Sequence, residues 1–274
     1  MIGGKTLALA MCLIVTLMSS GALGEEELGN PRSSYGLGSA KYLEGRNVLY
    51  SLFVDTPHSN WQQDDKEAAL EKLQIATEYI EESAREYGVE TELVCDWQEN
   101  IDLTGQAKVD FKIMDGENFE ERLDEEIAYW VEYMVDYEAL KAAHEAEGAA
   151  LLVFVNNPSV SYAIVFDGTD NPKESVVMFS KEAPAVYAHE IMHLFGAHDL
   201  YEEAEFTAEV SAYVREIYPL EIMYRVTDLQ GNAYDDKIVN TLSPITAYHL
   251  GWVDEIEEIE MFPQLVRKKQ IRIN

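Results

Sequence analysis

The sequence predicts an α/β protein of three layers, with a mixed, mostly parallel sheet and one helix that carries the functional groups. Three observations lead there. Short strand-like runs alternate with long amphipathic helical patterns, one run from Ala150 to Val155 is apolar throughout, and the strand ending at Phe179 leads straight into a helix bearing two histidines and a glutamate.

Residues 1 to 24 have the layout of a secretory signal peptide: Lys5, an apolar run from Thr6 to Met18, then small residues ending in Ala22-Leu23-Gly24. Cleavage is expected after Gly24. The apolar run is short for a membrane span, so no stable membrane association is expected after cleavage, and Cys12 within it makes a poor lipoprotein acceptor. A polar leader follows from Glu25 to Gly45, with Glu25-Glu26-Glu27 read as a solvated N-terminus, and residues 46–274 read as one domain.

Within that domain, Asn47 to Val54 is rich in Val, Leu, Tyr and Phe and is expected to be a strand. From Asp65 to Tyr87, Leu70, Leu73, Ala76, Ile80, Ala84 and Tyr87 recur at three-to-four spacing, the core face of a helix that Gly88 stops. Strands are predicted at Thr91 to Trp97, with Cys95 as a small buried hydrophobe, and at Ala107 to Ile113. A long helix capped by Asn118 should run through Leu123, Ile127, Trp130, Val131, Met134 and Leu140 to Gly148. After Ala150 to Val155 come strands at Tyr162 to Phe166 and Ser175 to Phe179, flanking a turn at Asp167 to Pro172.

The next helix is expected to start at an N-cap Ser180 with Pro184 in its first turn, and to end at Gly196, a glycine able to take positive φ. Another helix spans Glu202 to Tyr218, with Phe206, Val210, Tyr213, Val214 and Ile217 on one face, and Pro219 breaks it. Ser243 to Trp252 reads as a buried helix with a Gly251 stop. Nothing suggests an internal repeat or an interdomain linker.

Composition narrows the function. The net charge is −31, and loss of Lys5 with the signal peptide takes it to −32, so nucleic acid is not expected as a partner. The acidity reads as solubility for an exported protein. Asp228, Asp235 and Asp236 lack EF-hand spacing and predict no calcium site, and Arg267-Lys268-Lys269 reads as a solvated strand end. Only Cys95 follows the signal peptide, which excludes an intramolecular disulfide and fits a secreted bacterial protein.

The chemistry concentrates in His189-Glu190-Ile191-Met192-His193-Leu194-Phe195-Gly196-Ala197-His198-Asp199. On a helix, His189 and His193 share a face, so both imidazoles can reach one ion, with Glu190 directed toward the same cleft. This is the H-E-x-x-H arrangement of a zinc site, in which zinc acidifies a bound water and Glu190 takes its proton as general base. A third ligand requires the chain to turn back after Gly196. The next polar groups are His198 and Asp199.

The segment resembles the metzincin clan of zinc peptidases, in its snapalysin-like variant H-E-x-x-H-x-x-G-x-x-D. His189, Glu190, His193 and Gly196 match position for position. The resemblance implies a zincin-like fold with Asp199 as third ligand; His198 stays the alternative, since imidazole is the commoner zinc donor. It also identifies Leu220-Glu221-Ile222-Met223-Tyr224 as similar to the methionine-containing turn of that clan, with Met223 as its methionine. A tyrosine often follows that methionine by two positions, but here Arg225 stands there, so Tyr224, Tyr201 and Tyr248 are all candidates to stabilise an oxyanion. The clan's antiparallel edge strand, which binds extended peptide, would be Tyr162 to Phe166, unless that segment is an ordinary hairpin. Ser243 to Trp252 also resembles, weakly, segments after that turn in bacterial secreted metallopeptidase-like proteins.

The expected function is a secreted zinc-dependent endopeptidase acting on protein or peptide. The other readings are a catalytically silent metal-containing binding protein and a zinc hydrolase of a non-peptide, cell-wall amide. The pattern sets neither side-chain preference nor oligomeric state.

Overall fold

The computed structural model describes residues 38–56, 59–97, 119–165, 173–201 and 206–266. The predicted signal peptide, most of the leader, the predicted strand at 107–113, the turn at 167–172 and the basic residues 267–269 lie outside them.

Among the described residues five strands form one sheet: β1 (Gly45–Val54), β2 (Thr91–Trp97), β3 (Gly148–Val155), β4 (Tyr162–Ile164) and β5 (Ser175–Phe179), in the order β2-β1-β3-β5-β4. Every neighbouring pair is parallel except β4 with β5, where Tyr162 faces Val177. This is the mixed, mostly parallel sheet expected.

The strand period of two assigns the side chains to two cores. On one face Leu49, Phe53, Leu152, Phe154, Val176 and Met178 pack with Leu73, Ile80, Tyr187 and Ile191, which come from α1 (Gln63–Glu86) and α4 (Pro184–His193). On the other, Val48, Tyr50, Val54, Leu151, Val153 and Val177 pack with Leu123, Ile127 and Leu140, from α2 (Phe119–Tyr129) and α3 (Tyr137–His144). Three layers result, and β3 is buried along its whole length. None of the described helices is long and apolar enough to cross a membrane.

Helix boundaries depart from the sequence pattern where a local group competes with the helix. α1 begins at Gln63, and Asp65 reaches back to the Gln62 N–H at 3.4 Å. The single helix expected from Asn118 to Gly148 is broken instead. α2 passes into one π-helical stretch, Trp130–Met134, and the chain then turns extended at Val135, because Asp136 acts as an N-cap, its carboxylate accepting from the Ala139 N–H at 3.0 Å. Lys173 Nζ donates to the carbonyls of Val131 at 2.8 Å and Glu132 at 3.2 Å, satisfying acceptors that the break would otherwise leave open.

Ser180 does not cap α4 as expected; its hydroxyl bonds Asn156 Oδ1 at 2.7 Å. Pro184 occupies the first helical position and holds Ala183 extended, which makes Ala183 the N-cap. The helix expected from Glu202 is α5 (Ala208–Ile217), with Phe206 outside it and Ile217 exposed. Cys95, expected to be buried, is exposed on β2, which among the described residues is an outer strand of the sheet. α6 (Pro244–His249) is the buried helix expected, capped by Ser243.

Gly148 opens β3 where the 38–43 segment crosses it: a Cβ there would lie 2.1 Å from Asn47 Oδ1 and 2.3 Å from the Ala40 carbonyl oxygen. Backbone on one side leaves little room to relax. Gly148→Ala is therefore expected to cost about 1–3 kcal/mol, read as a lower midpoint in thermal denaturation; an unchanged midpoint would contradict this packing.

Candidate metal centre

α4 carries His189 and His193 on one buried face while Tyr187, Ala188, Ile191 and Met192 anchor it in the core. The helix closes with Gly196 at φ +98°, and the Ala197 N–H returns to the Met192 carbonyl at 3.1 Å. A side chain with a Cβ resists that φ. The turn brings Asp199 back against the histidines, and the Leu200 N–H, bonded to the Met223 carbonyl at 2.9 Å, holds it there.

Three ligand-type atoms then converge. His189 Nε2 lies 3.1 Å from Asp199 Oδ1, His193 Nε2 lies 3.3 Å from it, and the two Nε2 atoms are 3.2 Å apart. The other ring nitrogens face carbonyls, His189 Nδ1 to Ile222 O at 3.0 Å and His193 Nδ1 to Ala197 O at 2.8 Å. A carbonyl can only accept, so each Nδ1 carries a proton and each Nε2 lone pair is available at the centre. Tyr201 OH donates to Asp199 Oδ2 at 2.9 Å and turns Oδ1 toward the imidazoles.

Burial pulls both imidazoles down, but the Asp199 carboxylate outweighs it and raises both, His193 to about 9. Burial would likewise raise Asp199, yet the facing imidazoles hold its carboxyl well below the usual range. The carboxylate thus favours positive charge at this point, of which a proton on an imidazole is one form. A divalent cation can take its place: four ligands at zinc bond lengths of about 2.0–2.1 Å stand roughly 3.3 Å apart in a tetrahedron, close to the separations found. His189, His193 and Asp199 are the group among the described residues able to hold a metal ion.

Glu190 is buried beside the histidines, and its charge acts on both. His198 turns away from the group; its ring packs edge-on to His249 at 4.7 Å and to Phe206 at 5.8 Å. Met223 is fully buried, in the turn whose Ile222 carbonyl meets His189. Among the oxyanion candidates, Tyr201 reaches the centre through Asp199, Tyr224 stacks under Arg225 with Cζ 5.4 Å from its ring, and Tyr248 lies beside His249.

Two acidic residues escape a reading of motifs. Glu221 was hidden within the apolar Leu220 to Met223 run, where a lone glutamate is itself the signal. Glu182 accepts from Ser161 N–H at 3.2 Å and from the Ser161 hydroxyl, joining the start of α4 to β4. Burial, reinforced by the Glu190 charge, pushes its carboxyl up to about 7. Between its ordinary value of 4.5 and 7 the folded protein keeps a proton that the unfolded chain releases, so Glu182 erodes stability as pH rises through that window. In the metal-free protein, Glu182→Gln should accordingly gain in thermal midpoint over wild type from pH 4.5 to 7; a constant difference would refute the raised value.

The fold and the site together define an α/β protein with a buried His-His-Asp group suited to a metal ion. No family model matches the chain, and no curated protein matches it. Among solved structures it is similar to catalytically inactive OgpA from Akkermansia muciniphila in complex with an O-glycopeptide (glycodrosocin) substrate, at 11% identity and a TM-score of 0.30. That match covers 81% of this chain and 63% of the other, so the chain spans less than two thirds of that protein.

Proposed function

We propose that this protein is a secreted zinc-dependent endopeptidase, with His189, His193 and Asp199 holding the ion. The observation that carries this reading is the convergence of two imidazole lone pairs and a carboxylate oxygen within 3.1–3.3 Å in a buried site. Three protein ligands would leave one position for water, as hydrolytic zinc sites do. Bound zinc supplies an acidified water and a counter-charge for the oxyanion.

The chain's own groups do the rest. Glu190, next to His189 and with its carboxylate in the same buried site, would take the proton from that water and return it to the leaving amine. Tyr201 keeps Asp199 oriented, and the Ile222 and Ala197 carbonyls keep the histidines in one tautomer. Among the described residues β4 pairs with β5 alone, so its outer edge can receive an extended peptide by strand addition. The signal-peptide layout of residues 1–24 supports export.

The test is incubation of the zinc-loaded mature chain with a panel of unstructured proteins, peptides and cell-wall fragments, with and without chelator. Chelator-sensitive cleavage of peptide bonds is expected. Cleavage confined to cell-wall amides would move the activity to a non-peptide hydrolase, and zinc binding without hydrolysis of any substrate would favour a silent metal-containing protein.

A further inference from the structure

Glu221 is a carboxylate in the protein interior, fully buried, on the turn that meets the metal centre. Its two oxygens collect donors from separate segments. Oε1 accepts from the Met223 N–H at 3.1 Å and from the Thr246 hydroxyl at 2.8 Å, and Oε2 accepts from the Ser243 N–H. It thus ties the turn to the start of α6, 22 and 25 residues away in the chain. Its neighbour Ile222 is held on both sides, its N–H on the Thr241 carbonyl at 2.9 Å and its own carbonyl on His189 Nδ1 at 3.0 Å.

We infer that Glu221 is a positioning residue for the metal centre: by fixing the turn to α6 it sets the Ile222 carbonyl that holds His189 in its metal-binding tautomer and orientation. The inference rests on the metal-centre reading above. It follows from hydrogen-bond inventory. A backbone N–H is aimed at each oxygen, Met223 at Oε1 and Ser243 at Oε2, so an acceptor is needed on both, and an amide supplies only one. In Glu221→Gln one NH2 faces a donor, the turn must shift, and the Ile222 carbonyl shifts with it. Outer partners of metal-bound histidines are typically worth about 10- to 100-fold in metal affinity.

The experiment measures zinc affinity by chelator competition, and the visible spectrum of the cobalt-substituted protein, on the mature chain at a temperature well below every variant's unfolding. Wild type is compared with Glu221→Gln, with Thr246→Val, which removes a single donor from Oε1, and with Leu140→Ala. The last lies in the opposite core and loosens the fold without touching this network. The expected result is zinc binding weakened about 10- to 100-fold in Glu221→Gln, with a shifted cobalt spectrum, a smaller change in the same direction in Thr246→Val, and wild-type affinity and spectrum in Leu140→Ala.

Wild-type affinity and spectrum in both Glu221→Gln and Thr246→Val would overturn the assignment and leave the metal-centre reading intact. Should Glu221→Gln fail to fold, Thr246→Val decides alone. Equal weakening in Leu140→Ala would make the effect one of general stability and also overturn it. A wild-type chain that binds neither zinc nor cobalt would remove the metal-centre reading and this inference together.

Discussion

Glu190→Gln should lower turnover of a cleaved peptide by about 10²- to 10⁴-fold while the protein keeps its zinc. The substitution preserves the shape of a side chain that is 1% exposed and sits in a packed helix, so the histidines should not move. What it removes is the ability to accept a proton. The metal is held by His189, His193 and Asp199 in this reading, through atoms of those three side chains that converge on one point, with Tyr201 bonded to Asp199. Loss of the Glu190 charge makes the site less negative, which should weaken zinc binding far less than loss of a ligand. Turnover and metal content measured on the same preparation separate the two effects. Undiminished activity in Glu190→Gln would end the general-base role, and loss of both metal and activity would show Glu190 to be part of how the ion is held.

The second large effect is loss of the metal itself. His193→Ala and Asp199→Ala should each strip the zinc, whereas His198→Ala should retain about one zinc per chain. Each of the first two deletes one corner of the converging group. His198 points elsewhere, into a stack in which Phe206 lies parallel to His249 at 8° and His198 stands edge-on to that ring at 88°. Its removal should lower thermal stability by loss of packing without altering metal content. Elemental analysis after dialysis distinguishes the cases. Zinc kept by Asp199→Ala but lost by His198→Ala would exchange their roles and require the turn after Gly196 to rearrange on binding.

Much of the fold was legible because it follows from local period. The apolar spacing from Leu70 to Ala84 marks α1, Gly88 stops it at φ +76°, and Thr91 to Trp97 is β2 as read. The apolar run into Val155 is the strand buried on both faces. Local spacing misleads where a side chain offers the backbone another partner. Trp130 to Leu140 keeps helical spacing through Val135 and Asp136, yet Asp136 caps a new helix there, and Lys173, 37 residues beyond Asp136, bonds the carbonyls at the break. Ser180 lost the capping position to Ala183 because Pro184 fixes the start of α4.

At the site, the same division holds. The sequence by itself determined that His189, Glu190 and His193 share a neighbourhood, since a spacing of four is one helical turn, and that the chain reverses at Gly196, since few other residues accept that backbone. The tertiary structure alone decided which of His198 and Asp199 meets the imidazoles, which carbonyls hold their Nδ1 protons, and that Glu221 ties the turn to α6. The physical reason is range. Helical spacing is set by bonds between near neighbours, whereas the direction of a side chain beyond a turn, and the partner of a buried carboxylate, depend on segments tens of residues away that only packing brings together.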